Sequence, residues 1–109
     1  MTVQPLTKAT FRDAVKDDAL TLVDFSAAWC PPCKVLMPIL EQLSEETRDA
    51  RIYKVDTDAE PELASAFGIM SMPTVIAFRA GEPVEKLVGL RPKSAYEAII
   101  RKYASSAAS

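Results

Sequence analysis

The segment Leu20 to Phe25 reads Leu-Thr-Leu-Val-Asp-Phe, an apolar, β-rich run with no clean alternation of polar and apolar positions. A strand with one wet face alternates, so this run fits a strand covered on both faces. A helical stretch follows from Cys30, with Val35, Leu36, Ile39, Leu40 and Leu43 at three-and-four spacing. Pro38 lies inside it and is expected to kink it by removing one backbone donor. Ile52 to Asp56 reads as a second short strand. Pro61 suits the first turn of a short helix that Gly68 ends. Thr74–Phe78, a turn at Ala80-Gly81, and Val84–Val88 read as an antiparallel hairpin.

A final helix carries Tyr96, Ile99, Ile100 and Tyr103 on one face, with Pro92 or Ser94 near its start. Upstream, Thr10 is the expected cap of a helix whose stripe is Phe11, Ala14 and Val15, running to about Ala19. Thr2 to Leu6 is expected to add an edge strand, where Pro5 is tolerated. The pattern predicts an α/β fold, a mixed central sheet with helices on both faces.

With 109 residues and 11.9 kDa, one domain over residues 1–109 is expected. The Ala and Ser tail, 104–109, reads as a frayed end. Hydrophobic residues at 49% and charged ones at 26% argue against a disordered chain. No apolar run approaches the about 18–20 residues of a membrane helix. A net charge of −2 gives no basic excess for a nucleic-acid partner. Met1 to Leu6 lacks the basic and apolar stretches of a secretory signal, so either the protein is cytoplasmic or the chain is already processed. With no His and two Cys, a structural zinc site within one chain is close to excluded.

The chemistry sits in Trp29-Cys30-Pro31-Pro32-Cys33-Lys34, after the covered strand and at the front of a helix. A Cys there meets unpaired N–H groups and the positive end of the helix dipole, which favour thiolate. If Cys30 is the cap, the Cys33 N–H is free to bond its sulfur. Pro32 biases Pro31 away from helical ψ, so a stiff turn is expected. A structural disulfide is the weaker reading, since a four-residue loop contributes only roughly 2 kcal/mol. Two inert buried thiols fit poorly with Pro-Pro at a helix start. A Cys-x-x-Cys placed strand, loop, helix start is a strong redox signal.

Asp24 is a carboxylate within the apolar strand. If buried, its pKa rises and it becomes a proton carrier near neutral pH; if it ends the strand, it merely faces solvent. Trp29, Pro32, Met70, Met72 and Gly89 form a candidate apolar docking surface, with Met72 favoured over Met70; the alternative places both methionines in the core.

These features resemble the thioredoxin family. The resemblance runs from about Phe11 to Tyr103 and rests on Val23-Asp24-Phe25, the Cys-Pro-Pro-Cys segment, Pro38, Lys54-Val55-Asp56, Met72-Pro73-Thr74, Gly81 and Gly89. It implies the thioredoxin fold with four helices, and a thiol–disulfide oxidoreductase that reduces disulfides in other proteins. It casts Cys30 as nucleophile, Cys33 as the more buried resolving thiol, and Asp24 as acceptor of the Cys33 proton through water. Lys54 would tune Asp24, and Pro73 would be a cis-proline facing the dithiol, baring the Met72 backbone for an extended substrate. No bound cofactor is implied. Electrons would come from a thioredoxin-reductase-type, NADPH-dependent flavoprotein.

Two positions depart from the family pattern. Pro31 stands where Gly is commonest, which bears on redox potential and direction. Ser26 stands where an aromatic is frequent. Three rivals therefore remain at this level: a disulfide oxidase or isomerase, a binding module with an idle dithiol, and a dimer sharing an iron–sulfur cluster through four thiolates.

Overall fold

The computed structural model describes residues 3–108, with side chains described to 104. Nine elements follow one another: β1 (Gln4–Pro5), α1 (Lys8–Val15), β2 (Leu20–Ser26), α2 (Pro31–Glu46), β3 (Ala50–Asp56), α3 (Pro61–Ala66), β4 (Thr74–Arg79), β5 (Glu82–Val88) and α4 (Lys93–Ala108). The five strands form one sheet in the order β1-β3-β2-β4-β5. β3 is parallel to β1 and β2, whereas β4 is antiparallel to β2 and β5. β1 is the expected edge strand, though Thr2 lies outside the described residues.

Strand β2 lacks alternation because it is central and covered twice. Leu20 and Leu22 face a cluster with Leu36, Leu40 and Leu43 of α2 and Tyr96, Ile99 and Ile100 of α4. Val23 and Phe25 face the opposite cluster, with Phe11 and Val15 of α1 and Leu63 of α3. The mixed sheet with helices on both faces is therefore present. Because β3 and β4 flank β2 on opposite sides, the carboxyl end of β2 is a switch point in the sheet, where open α/β folds place their sites.

Several local expectations need correction. The cap of α1 is Thr7, not Thr10; Thr10 acts from inside the first turn, its hydroxyl accepting the Thr7 N–H at 2.9 Å. That helix stops at Val15 rather than near Ala19. The Val15 and Asp17 carbonyls accept the N–H groups of Gly81 and Ala80 at 2.8 and 2.7 Å, so the hairpin turn takes them away from further helix. Val35 is 55% exposed, because Cys33, Leu36, Leu40 and Leu43 set the buried face and Val35 lies a quarter turn off it. Pro38 lies inside α2, as its place in the sequence implied, on the exposed side of the helix. The final helix, α4, spans Lys93–Ala108.

The hairpin turn places Ala80 at φ 52° and Gly81 at φ 80°. The left-handed region costs a residue with a Cβ about 1–2 kcal/mol. Ala80→Gly removes that cost and keeps the N–H donor, against the greater freedom of an unfolded glycine. Urea unfolding of Ala80→Gly should show a stability gain of about 0.5–1 kcal/mol; a loss would mean that the turn carries no strain at Ala80.

Candidate active site

The loop leaving β2 closes on itself when the Cys30 N–H donates to the Ala27 carbonyl at 3.2 Å. Cys30 is extended, φ −94° and ψ 110°, and is the N-cap of α2. Pro31 and Pro32 carry no N–H, so the first turn has few donors to offer. One of them is used at once: the Cys33 N–H donates to Cys30 Sγ at 3.3 Å. Pro31 is already helical and the turn closes from the Lys34 N–H to the Cys30 carbonyl, so the bias away from helical geometry does not prevail.

Cys30 and Cys33 are joined as a disulfide, with Cα atoms 5.3 Å apart. Their exposures are 3% and 4%, so the expected greater burial of Cys33 is absent in this oxidised state. Both sulfurs sit in one small cluster with Ala27 and Met72, where each screens the other.

Cys30 Sγ lies 3.6 Å from the Met72 carbonyl oxygen. The Met72-Pro73 bond is cis, as the resemblance implied. Gly89, at φ +87°, ties this segment to the end of β5 by donating its N–H to the Pro73 carbonyl at 2.7 Å. Thr74 anchors the same turn through its hydroxyl to Ser71 O, 2.6 Å. Trp29 is 63% exposed and Met70 94%, while Pro32 is exposed and Met72 half-buried. Of the candidate docking residues, Met72 packs against both cysteines, and Gly89 bonds to the Pro73 carbonyl beside them. Neither methionine belongs to the two large cores.

Asp24 is completely buried, and neither carboxyl oxygen has a hydrogen-bond partner among the described residues. Burial pushes its pKa up to about 7, with the Lys54 charge pulling the other way. Lys54 is half-buried and sits directly across from Asp24 in the β2–β3 register. The solvent-facing alternative for Asp24 therefore fails. A cleft of about 360 Å³ opens beside Ser26 and reaches Cys33, Lys34, Lys54 and Asp56.

Two partners of the site were invisible in the sequence. Asp58 accepts the Trp29 indole N–H at 2.8 Å, and the Thr57 hydroxyl donates to Met72 Sδ at 3.1 Å. Asp58 stands among several acidic residues with nothing to single it out.

A dithiol at the mouth of a helix, closing to a disulfide beside a cis-proline, belongs to a thiol–disulfide oxidoreductase. The thioredoxin family model matches residues 2–102. A thioredoxin from Alicyclobacillus acidocaldarius is 47% identical over 94 residues, 85% of this chain and 90% of that protein. One from Listeria monocytogenes is 42% identical over 102 residues, 93% of this chain and 98% of that protein. Among solved structures, a mutant thioredoxin from Halobacterium salinarum superposes with a TM-score of 0.88 at 38% identity, covering 94% of this chain and 91% of that one. Plasmodium falciparum thioredoxin gives 0.85 at 35% identity, covering 93% and 99%. The chain belongs to the thioredoxin family, whose members are disulfide reductases. Among the described residues no helix is long and apolar enough to cross a membrane.

Proposed function

We propose that the chain, working as one domain over residues 1–109, reduces disulfides in other proteins with Cys30 as nucleophile and Cys33 as resolving thiol. The Cys30 thiolate attacks one sulfur of a substrate disulfide, and the other substrate sulfur leaves as thiolate and takes up a proton. Asp24, as carboxylate, then accepts the Cys33 proton. The Cys33 thiolate attacks Cys30 Sγ, the second substrate thiolate is released, and the Cys30–Cys33 disulfide remains. Lys54 supports the ionised form of Asp24 from the neighbouring strand.

The carrying observation is the Cys33 N–H on Cys30 Sγ at the start of α2. That bond and the helix dipole stabilise charge on the attacking sulfur. Trp29, Pro32, Met72 and Gly89 frame the surface where a substrate segment lies extended along the Met72 backbone.

A flavoprotein reductase of the thioredoxin-reductase type, working in the cytoplasm, returns two electrons to the disulfide. A solved structure concerned with the thiol-resolving mechanism of yeast mitochondrial 1-Cys peroxiredoxin matches at 31% identity, over 92% of this chain and 94% of that one. It supports thiol peroxidases as one substrate class. Catalytic amounts of the chain should accelerate reduction of insulin disulfides by dithiothreitol, read as turbidity; insulin reduced no faster than by dithiothreitol alone contradicts the reading.

A further inference from the structure

The Asp24 carboxyl has a counterpart in the interior. The Tyr96 hydroxyl, in the first turn of α4, is also buried, and its proton has no acceptor among the described residues. The two occupy the same layer. Asp24 is two positions beyond Leu22 on β2 and opposite Val75 on β4, so it projects to the face those residues share. Leu22, Val75 and Tyr96 pack in one cluster between the sheet and helices α2 and α4. The Arg91 backbone amide faces the phenol oxygen, so it is the hydroxyl proton that calls for an acceptor, which a phenylalanine of nearly the same size would not need.

The chemistry of the two groups is complementary. An ionised carboxylate only accepts hydrogen bonds, and a neutral phenol supplies a donor. Burial raises the Tyr96 pKa, the Arg91 backbone amide opposes this, and the Asp24 charge raises it further. The phenol therefore keeps its proton throughout the range in which Asp24 titrates, and the two groups lie within electrostatic reach. Around Asp24, β3 contributes Lys54, β4 contributes apolar Val75, and α2 carries Cys33 at this end of the sheet. Around Tyr96, the connection into α4 contributes Arg91.

We infer that Tyr96 is a positioning residue for the resolving step: its hydroxyl donates through a bridging water to the ionised Asp24 carboxylate and holds it ready for the Cys33 proton. The two groups make no direct hydrogen bond, and a water between them keeps most of the bond's worth. The inference rests on the proposed role of Asp24 as proton acceptor. It adds a second supporter of the carboxylate, from helix α4, beside Lys54 on β3.

The test is the Asp24 titration followed by carboxyl ¹³C NMR in the reduced protein and in Tyr96→Phe. Loss of the donor should raise the Asp24 midpoint by about one pH unit. The pH profile of mixed-disulfide resolution should move up with it. In an Asp24→Asn background, Tyr96→Phe should leave that profile where Asn placed it. An unchanged Asp24 midpoint in folded Tyr96→Phe overturns the inference. Should Tyr96→Phe fail to fold, the Tyr96 phenol is titrated in Asp24→Asn instead. A lowered midpoint there supports the coupling, and an unchanged one overturns it. The role of Asp24 fails separately, if Asp24→Asn resolves mixed disulfides as fast as the parent while the Asp24 shift in Tyr96→Phe persists.

Discussion

Cys30→Ser should bring insulin reduction down to the uncatalysed rate, while Cys33→Ser should stop after a single event and retain its substrate. The difference follows from the order of the two attacks. Cys30 caps the helix and receives the Cys33 N–H on its sulfur, so it carries the charge that begins exchange. A serine hydroxyl stays protonated under the same influences and starts nothing. In Cys33→Ser the opening attack survives, because the amide at position 33 is backbone and remains. The product then waits, with no second thiol to displace the substrate. Intact-protein mass spectrometry should find Cys33→Ser joined to substrate through one disulfide that dithiothreitol releases. Turnover by Cys30→Ser, or an absence of adduct on Cys33→Ser, would assign the attack to the wrong sulfur.

Asp24→Asn should change both the stability profile and the resolving step. An ordinary aspartate titrates near 3.8, and burial moves Asp24 to about 7 in the folded protein. Between those values the folded chain holds a proton that the unfolded chain has released. Stability from this group is therefore complete below about 3.8 and declines as pH rises through 7. The span amounts to at most roughly 4 kcal/mol at about 1.4 kcal/mol per pH unit. Asparagine cannot ionise, so this decline disappears. Its own buried amide costs about 1–3 kcal/mol, which leaves a net gain at pH 8 of about 1–3 kcal/mol. Urea unfolding at pH 5 and pH 8 reads the difference directly. The same variant should resolve mixed disulfides more slowly at neutral pH, since Cys33 loses its acceptor. Parallel pH profiles for parent and variant would mean that Asp24 is not the strained group.

What could be read in advance follows from how local each signal is. The double coverage of Leu20–Phe25 and the dithiol at a helix start are written in neighbouring residues, so fold class and both cysteines were legible. Asp24 stood out as a charge in an apolar run, but its burial needed the flanking strands. The end of α1 was not legible, because the groups that stop it arrive from the Ala80-Gly81 turn, over sixty residues away. Val35 was misplaced because Val35 and Leu36 both fit a three-and-four rhythm, and only packing sets its phase. The Trp29–Asp58 bond and the placing of Tyr96 in the same layer as Asp24 depend on how loops and layers meet, which no spacing encodes. The cis bond before Pro73 was reachable only through resemblance, since most such bonds are trans.

The central claim is that the start of α2 keeps the Cys30 sulfur charged at neutral pH. The direct test is the rate of iodoacetamide alkylation of the reduced protein as a function of pH, with the modified residue located by peptide mapping. The account predicts modification of Cys30 with a midpoint at or below about 7.5, against about 8.5 for an ordinary thiol. A midpoint at the ordinary value would contradict it.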